Sequence, residues 1–118
     1  MDIREAIEKY LPCCEQEARD KAVILSFIDS APDAFERSNL IAHMTVSAWV
    51  VNPARDKVLM VYHKIYDSWS WTGGHADGER DLLSVALREV REETGVKSAR
   101  PVTEDIYSLE VLTVDGHE

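Results

Sequence analysis

The stretch GGHADGERDLLSVALREVREETGV, residues 73–96, decides the fold and also poses an electrostatic problem. Most of it has the periodicity of an α-helix from about Arg80 to Thr94, and Gly95 suits a left-handed cap after that helix. Three carboxylates fall on neighbouring positions of one helical surface, namely Glu89, Glu92 and Glu93. Like charges three or four residues apart destabilise a helix by about 0.2–0.5 kcal/mol per pair. The stretch therefore predicts a helix whose acidic end needs a compensating charge.

The predicted helix carries two apolar seams of unequal length. The longer seam is expected to pack on a sheet and consists of Leu83, Ala86, Leu87, Val90 and Thr94. The shorter seam begins with Leu82 and Val85 and continues into Glu89. Because a solvated face is more often polar along its whole length, the shorter seam predicts carboxylates at the edge of a packed surface, where their repulsion is stronger.

Two interpretations of the acidic cluster stay open on these residues alone. Arg88 can pair with Glu92 one turn later, and charge runs of this kind are common on solvated surface helices. One arginine, however, does not neutralise three carboxylates. A magnesium ion would, because it prefers oxygen ligands and commonly combines one or two carboxylates with substrate phosphates.

Length and composition restrict the class of protein. The chain has 118 residues, of which 45% are hydrophobic and 30% charged, as is typical of one globular domain. Its net charge of -9 argues against a nucleic-acid polymer or an anionic membrane as partner, although a bound cation would still admit a small phosphate ligand. No apolar run is long enough to cross a membrane. We interpret Cys13 and Cys14 as free thiols in a reducing, cytoplasmic compartment.

Two helices are predicted ahead of the β-rich region, over residues 2–10 and 14–29. The second helix has a periodic apolar face formed by Ala18, Ala22, Leu25 and Ile28. Residues 30–39 are predicted to form a loop or a short helical turn. We therefore divide the chain into a helical extension, residues 1–39, and a second unit, residues 40–118.

Sequence patterns typical of β-strands follow the helical extension. Residues 42–63 predict a hairpin that turns at NPARD, and residues 105–114 predict a third strand. Residues 64–71 are predicted to form a loop. An Asp-Gly hairpin signal within Val114–Gly116 has no partner strand after it, and we therefore expect the chain to be truncated on its C-terminal side.

The segment that begins at Gly74 resembles the Nudix box, G-x5-E-x7-R-E-U-x-E-E-x-G-U with U aliphatic, which is the signature of the Nudix hydrolase family. Eight of the nine fixed positions match, namely Gly74, Arg88, Glu89, Val90, Glu92, Glu93, Gly95 and Val96. The ninth departs, because Arg80 stands where the box has glutamate, with Asp77 and Glu79 as the nearest acids. The resemblance covers about residues 40–114. It implies an α/β fold, a Nudix-type α/β/α sandwich with a mixed sheet, preceded here by the helical extension and incomplete at its C-terminal end.

The resemblance also implies a chemistry, the magnesium-dependent hydrolysis of a nucleoside diphosphate linked to another moiety. Carried over by position, the expected metal ligands are the carboxylates of Glu89, Glu92 and Glu93 and the backbone carbonyl of Gly73. The expected cation is Mg²⁺, with Mn²⁺ as the alternative. Arg88 is expected to orient the glutamates through paired hydrogen bonds. Glu89 or Glu92 is expected to take the proton of the attacking water, unless the base follows the box, as in several branches of the family.

Four residues near the box are expected to contact the small phosphorylated or nucleotide substrate, namely His75, His63, Lys64 and Trp69. The two histidines and the lysine would touch phosphate, and the tryptophan would stack a nucleobase. The alternatives are a loop-stabilising histidine at position 75 and plain surface exposure at positions 63 and 64. Trp71 is predicted to lie in the core. The helical extension caps the sheet, lengthens the substrate cleft or builds a homodimer, and its sequence does not choose among these.

Two rival functions come from other classes. The first is a catalytically inactive Nudix-fold module that binds nucleotides or regulates, which the intact Arg88 and glutamates disfavour and the altered position 80 allows. The second is isopentenyl-diphosphate isomerase, which shares the fold but depends on a cysteine in the sheet region. Both cysteines here lie near the start of the chain. Magnesium-dependent turnover of nucleoside-diphosphate compounds separates the hydrolase from both rivals.

Overall fold

The structure is a computed structural model that describes residues 2–64 and 67–112, except for the side chain of His63. Three helices are present there: α1, Ile3–Lys9; α2, Glu15–Ser30; and α3, Leu82–Thr94. Six short strands are present there: β1, Thr45–Ala48; β2, Val50–Val51; β3, Val58–Leu59; β4, Val61–His63; β5, Ser68–Ser70; and β6, Thr72–His75. The predicted α/β class is confirmed, and the predicted helical segment precedes the strands.

Helices α1 and α2 pack together and are joined by a bidentate ion pair. The Arg4 guanidinium donates to both carboxylate oxygens of Asp29 at 2.7 and 2.8 Å. The predicted inward face of α2 is wrong in part, because Ala18 and Ala22 are exposed. The buried positions of α2 are Glu17, Asp20 and Ile24. Carboxylates can be buried in this way because hydrogen-bond donors from elsewhere in the chain reach them.

The strands form three antiparallel pairs, β1 with β6, β2 with β3 and β4 with β5. The predicted hairpin in residues 42–63 is confirmed only at its tip, where Val51 pairs with Val58. The first half of its leading strand pairs instead with β6. The predicted loop in residues 64–71 was wrong at its end, because β5 lies there and pairs with β4. Alternation of Ser and Trp side chains in this segment suits a strand exposed on one face.

Glycine at position 73 allows β6 to approach β1 closely. Gly73 lies opposite Ser47, and a Cβ atom added to it would stand 2.6 Å from the carbonyl oxygen of Val46. A backbone oxygen cannot move aside as a side chain can. The pairing of β1 with β6 therefore depends on the absence of a side chain at this position.

The hydrophobic core joins the N-terminal segment to α3. Its buried members are Ala34, Phe35, Ala76, Leu82 and Val85. The predicted order of the two seams of α3 is therefore wrong in part. Leu82 and Val85 of the shorter seam are buried, whereas Leu83, Ala86 and Leu87 of the longer seam are only half-buried. Val90 of the longer seam is buried as well. The reason is the turn after α2, whose Ala34 and Phe35 cover the shorter seam.

The segment predicted as a third strand has no strand pairing over residues 105–112. Its backbone instead donates to carboxylates of α2. Leu109 N–H reaches Glu17 Oε2 at 3.2 Å, and Val111 N–H reaches Asp20 Oδ2 at 3.3 Å. The predicted hairpin signal at Val114–Gly116 lies outside the described residues. Within the described ranges, no helix combines the length and the apolar character that a membrane span requires.

Candidate metal and active site

Two glycines of β6 face two glutamates of α3. The backbone N–H of Gly73 donates to Glu93 Oε1 at 2.9 Å. A Cβ atom added to Gly74 would stand 2.5 Å from Glu89 Cδ and 2.8 Å from Glu89 Oε1. The glycine pair therefore brings the sheet backbone directly against the acidic end of the helix. This contact is the structural basis for treating α3 and β6 as one site.

The backbone of Gly73 is turned toward α3 at its N–H, which donates to Glu93. In an ideal extended strand the N–H and C=O groups of one residue point to the same side. This rule predicts that the Gly73 oxygen also faces the edge at which the Glu93 carboxylate lies.

Glu89 is the carboxylate with the least favourable surroundings. Burial raises the pKa of Glu89 above its ordinary value of 4.5, and the negative charges of Glu92 and Glu93 raise it further. The positive charge of Arg88 opposes this rise. Among residues 2–64 and 67–112 no hydrogen-bond donor reaches the Glu89 carboxylate. Within the described residues, Arg88 is therefore the main group that offsets the partly buried charge of Glu89.

Arg88 and Glu92 form the ion pair that their spacing predicts, with 4.0 Å between Arg88 Nε and Glu92 Oε1. Both side chains are largely exposed, at 46% and 61%. Such a pair holds neither side chain firmly. In the part of the chain that the structure describes, no three His, Cys, Asp or Glu side chains are arranged so that they could hold a metal ion. Glu89, Glu92 and Glu93 are neighbours along the sequence and on the helix surface, but their carboxylate oxygen atoms do not converge on one metal position.

The position that departs from the Nudix box has a contact of its own. The Arg80 guanidinium carbon lies 4.7 Å from the centre of the Phe35 ring. The two nearby acids are also engaged. Asp77 pairs with Arg37 through two hydrogen bonds of 2.7 Å, and Glu79 Oε1 accepts from the N–H of Asp81 at 2.9 Å.

His75 contacts a second histidine that the sequence did not single out. His43 Nε2 and His75 Nδ1 lie 3.0 Å apart, and His43 Nδ1 lies 3.2 Å from the carbonyl oxygen of Asn39. A carbonyl only accepts, so His43 Nδ1 carries the hydrogen of that bond. Asn39 thereby fixes how His43 meets His75. No periodic pattern marks His43, because the contact joins the segment before β1 to β6, which lies 32 positions later.

The other predicted substrate contacts lie on the strands before the glycine pair. Trp69 of β5 is 68% exposed and meets Tyr62 edge-on, with 5.6 Å between ring centres. Trp71 is 39% exposed and stacks on Trp49 at 5.7 Å, so its predicted place in the core is wrong. Lys64 is exposed after β4. The side chain of His63, at the end of β4, lies outside the part that the structure describes.

Comparisons with known proteins agree on one family. The NUDIX domain family matches residues 42–115 of this chain. The chain is also similar to "Nudix hydrolase 27, chloroplastic" of Arabidopsis thaliana, with 36% identity over 83 residues. That alignment covers 70% of this chain and 37% of the relative, so the chain spans little more than a third of the relative's length. On this match and on the glycine and glutamate geometry, the chain belongs to the Nudix family.

Proposed function

We propose that this protein is a magnesium-dependent hydrolase that cleaves a nucleoside diphosphate linked to another moiety. The observation that carries the proposal is the contact of Glu93 and Glu89 with the glycine pair of β6. These contacts bring two carboxylates of α3 to the strand that carries Gly73, in a chain of the Nudix family. A pyrophosphate group is the substrate part that such a site suits.

The donor set suits a hard divalent cation. The ligands that we propose are oxygen atoms only, from Glu89, Glu92, Glu93 and the carbonyl of Gly73, and oxygen is what Mg²⁺ prefers, with Mn²⁺ as the second choice. The raised pKa of Glu89 supports the same choice, because a cation would offset both the burial of this carboxylate and the negative charges of its neighbours. When bound, the metal would neutralise phosphate charge and lower the pKa of a bound water.

Glu89 is the residue that we favour as proton acceptor, with Glu92 as the alternative. Its raised pKa makes Glu89 a stronger base than an ordinary carboxylate at the same position. Its contact with Gly74 fixes the side chain against β6. Arg88 is proposed to orient the glutamates, although its pair with Glu92 is long and exposed and does not by itself fix either side chain.

The substrate contacts follow the strands that lead to the glycine pair. Trp69 lies in the same extended segment as Gly73 and is exposed enough to stack a nucleobase. His75 lies two residues after Gly73 and is proposed to touch phosphate, with His43 behind it. Lys64 and His63 are proposed as further phosphate contacts.

The two rival functions are less well supported. An inactive binding module would not need a carboxylate whose pKa is raised by burial and like charges, as that of Glu89 is beside Gly74. The isomerase needs a cysteine in the sheet, whereas Cys13 and Cys14 are exposed and precede α2. The cytoplasmic location inferred from these free thiols and the homodimer both stay predictions.

The test is turnover of a panel of nucleoside-diphosphate compounds, with Mg²⁺ and with chelator, by the protein and by its Glu92→Gln variant. We expect release of two phosphate-bearing products that needs the metal and falls by about 10²–10⁴-fold in the variant. The matched control is Glu104→Gln, the same chemical change at an exposed position outside α3. Magnesium binding without turnover of any compound would favour the inactive module instead.

A further inference from the structure

A short turn of the N-terminal segment, residues 34–37, forms hydrogen bonds with the loop that connects β6 to α3. We call this loop, residues 76–80, the box loop. The carbonyl oxygen of Phe35 accepts from Gly78 N–H at 2.7 Å. The Arg37 guanidinium donates to both carboxylate oxygens of Asp77, at 2.7 Å each. The contact is therefore made by backbone and side chain together.

The side of the turn that faces α3 is apolar. Phe35 is 3% exposed and belongs to the same buried cluster as Ala76, which begins the box loop, and Leu82, which begins α3. The guanidinium of Arg80 covers the Phe35 ring from outside, 4.7 Å from its centre. A cation over an aromatic ring is attracted by the electron-rich face of that ring. The residue that departs from the Nudix box thus acts as part of this contact.

The box loop needs support because its backbone is unusual. Asp77 has φ 50° and Gly78 has φ 88°, so two consecutive residues adopt the left-handed conformation. For a residue with a Cβ atom this conformation is sterically unfavourable. The double hydrogen bond from Arg37 holds Asp77 in that conformation. The hydrogen bonds and the charge of Arg37 also keep the pKa of Asp77 below its ordinary value, so the pair stays ionised at neutral pH.

The conformation of the box loop sets where α3 lies relative to β6. The loop starts directly after the strand that carries Gly73 and Gly74 and ends at Asp81, whose carboxylate caps α3 by accepting from Ser84 N–H. A displacement of the loop would move Glu89 and Glu93 along β6. Shifts of about 1 Å in a catalytic group can lower a rate by about 10²-fold.

We propose that residues 34–37 position the acidic helix for catalysis, with Arg37 acting through Asp77 and Phe35 acting through Arg80. Arg37 and Phe35 are positioning residues, because they touch the box loop and not the carboxylates. In a chain whose box lacks the glutamate at position 80, the N-terminal segment is thus a working part of the site. The inference rests on the proposed function for its kinetic readout, but its structural readouts are independent of turnover.

The test exchanges the two charges. Arg37→Asp and Asp77→Arg are measured separately and together, for kcat, KM, the Mg²⁺ concentration at half-maximal rate, and amide hydrogen exchange of residues 76–82. We expect each single change to lower kcat by about 10-fold, raise the Mg²⁺ requirement and speed exchange in the box loop. The double variant should recover most of the lost kcat, because the pair is restored in reverse.

The chain offers a matched control in Arg4, which forms an equally short bidentate pair with Asp29. Arg4→Asp removes the same kind of ion pair from the same N-terminal segment, away from the box loop. The urea concentration at the midpoint of unfolding should fall in Arg4→Asp as it does in Arg37→Asp. The kcat of Arg4→Asp should stay within about 2-fold of wild type. An equal fall of kcat in both variants, or an unchanged kcat in a folded Arg37→Asp, would overturn the positioning role.

Two further measurements keep the proposal decidable. Arg37→Lys keeps the charge but loses the planar fork, so it should fold and lose part of the kcat even where Arg37→Asp does not fold. If wild type turns over no compound, the proposed function fails and Mn²⁺ affinity replaces kcat. Weaker Mn²⁺ binding with faster exchange of residues 76–82 in Arg37→Lys then supports positioning, and no change in either contradicts it.

Discussion

Helices α2 and α3 each carry a cluster of carboxylates, but within residues 2–64 and 67–112 the cluster on α2 receives more hydrogen-bond donors. Glu17 is 6% exposed and accepts from Tyr10 Oη, Cys13 N–H and Leu109 N–H. The first two of these bonds outweigh the effect of burial, so the pKa of Glu17 falls to about 2. Asp20, one turn later, accepts from Gln16 and from Val111 N–H. Both carboxylates are buried and accept hydrogen bonds from the described residues.

The acidic cluster on α3 has the opposite electrostatics. Burial and like charges raise the pKa of Glu89, and among the described residues no donor reaches it. Within the same residues, Gly73 N–H donates to Glu93, and Arg88 Nε lies 4.0 Å from Glu92 Oε1. The contrast offers a way to separate structural from functional carboxylates. The carboxylates of α2 are stabilised by hydrogen bonds within the fold, whereas we propose that those of α3 are stabilised by a bound cation.

The largest expected effect, and the sharpest test of this contrast, is Glu89→Gln. Loss of a ligand and proton acceptor should lower kcat by about 10²–10⁴-fold. The same change removes two like-charge contacts, so without metal it should raise Tm by about 3 °C. Activity and calorimetry on the same samples measure both. A variant that loses stability along with activity would show that Glu89 is structural, like Glu17.

Gly74→Ala should have the next largest effect, because the new Cβ atom would stand 2.5 Å from Glu89 Cδ. The Glu89 side chain can rotate away, so the fold should survive while kcat falls by about 10–100-fold. The matched change Gly73→Ala meets the backbone oxygen of Val46, which cannot yield, and should lower Tm more. Equal losses of Tm in the two variants would contradict the separate roles of the two glycines.

Glu17→Gln tests the other cluster. An amide has one acceptor oxygen instead of two, so its NH₂ group would face a hydrogen-bond donor in a buried place. We expect Tm to fall by about 5 °C or more with kcat per folded molecule unchanged. Glu15→Gln, on the exposed side of the same helix, is the control and should change Tm by less than about 2 °C.

The smallest effect is a difference in pH dependence without metal. The pKa of Glu17 is lowered from 4.5 to about 2, so its stabilising contribution is present above pH 4.5 and is lost as pH falls toward 2. The pKa of Glu89 is raised from 4.5, so its ionisation destabilises the fold as pH rises above 4.5. Urea midpoints of Glu17→Gln and Glu89→Gln should therefore approach that of wild type on the acid side, from opposite directions. Parallel curves would remove the contrast between the clusters.

Local sequence predicted α3 and its end well. Gly95 adopts φ 77°, and its N–H caps the helix at the Arg91 carbonyl, as the glycine after the acidic run predicts. The pair of Arg88 with Glu92 is confirmed. These features depend on residues within one or two helical turns of one another. Short-range periodicity and capping rules are therefore enough to find them.

The sequence failed where the deciding contact joins distant segments. The apolar periodicity of α2 did not identify Glu17 and Asp20 as buried positions, because Leu109 and Val111 bring donors to them from about 90 positions away. The strand β5, interpreted as a loop, is a separate failure, because its partner β4 ends only five positions before it. Nothing in residues 34–37 marks them as the support of the box loop.

The family, the acidic helix and the glycine pair could be predicted because all three lie in one short stretch with fixed spacing. The burial of individual positions in the two α3 seams, the donors to each carboxylate and the contact of Arg80 depend on the tertiary structure. Arg37 and Asp77 lie 40 positions apart, and Glu17 meets a backbone 92 positions away. Such contacts form because the folded chain brings complementary groups together, and no local pattern records them.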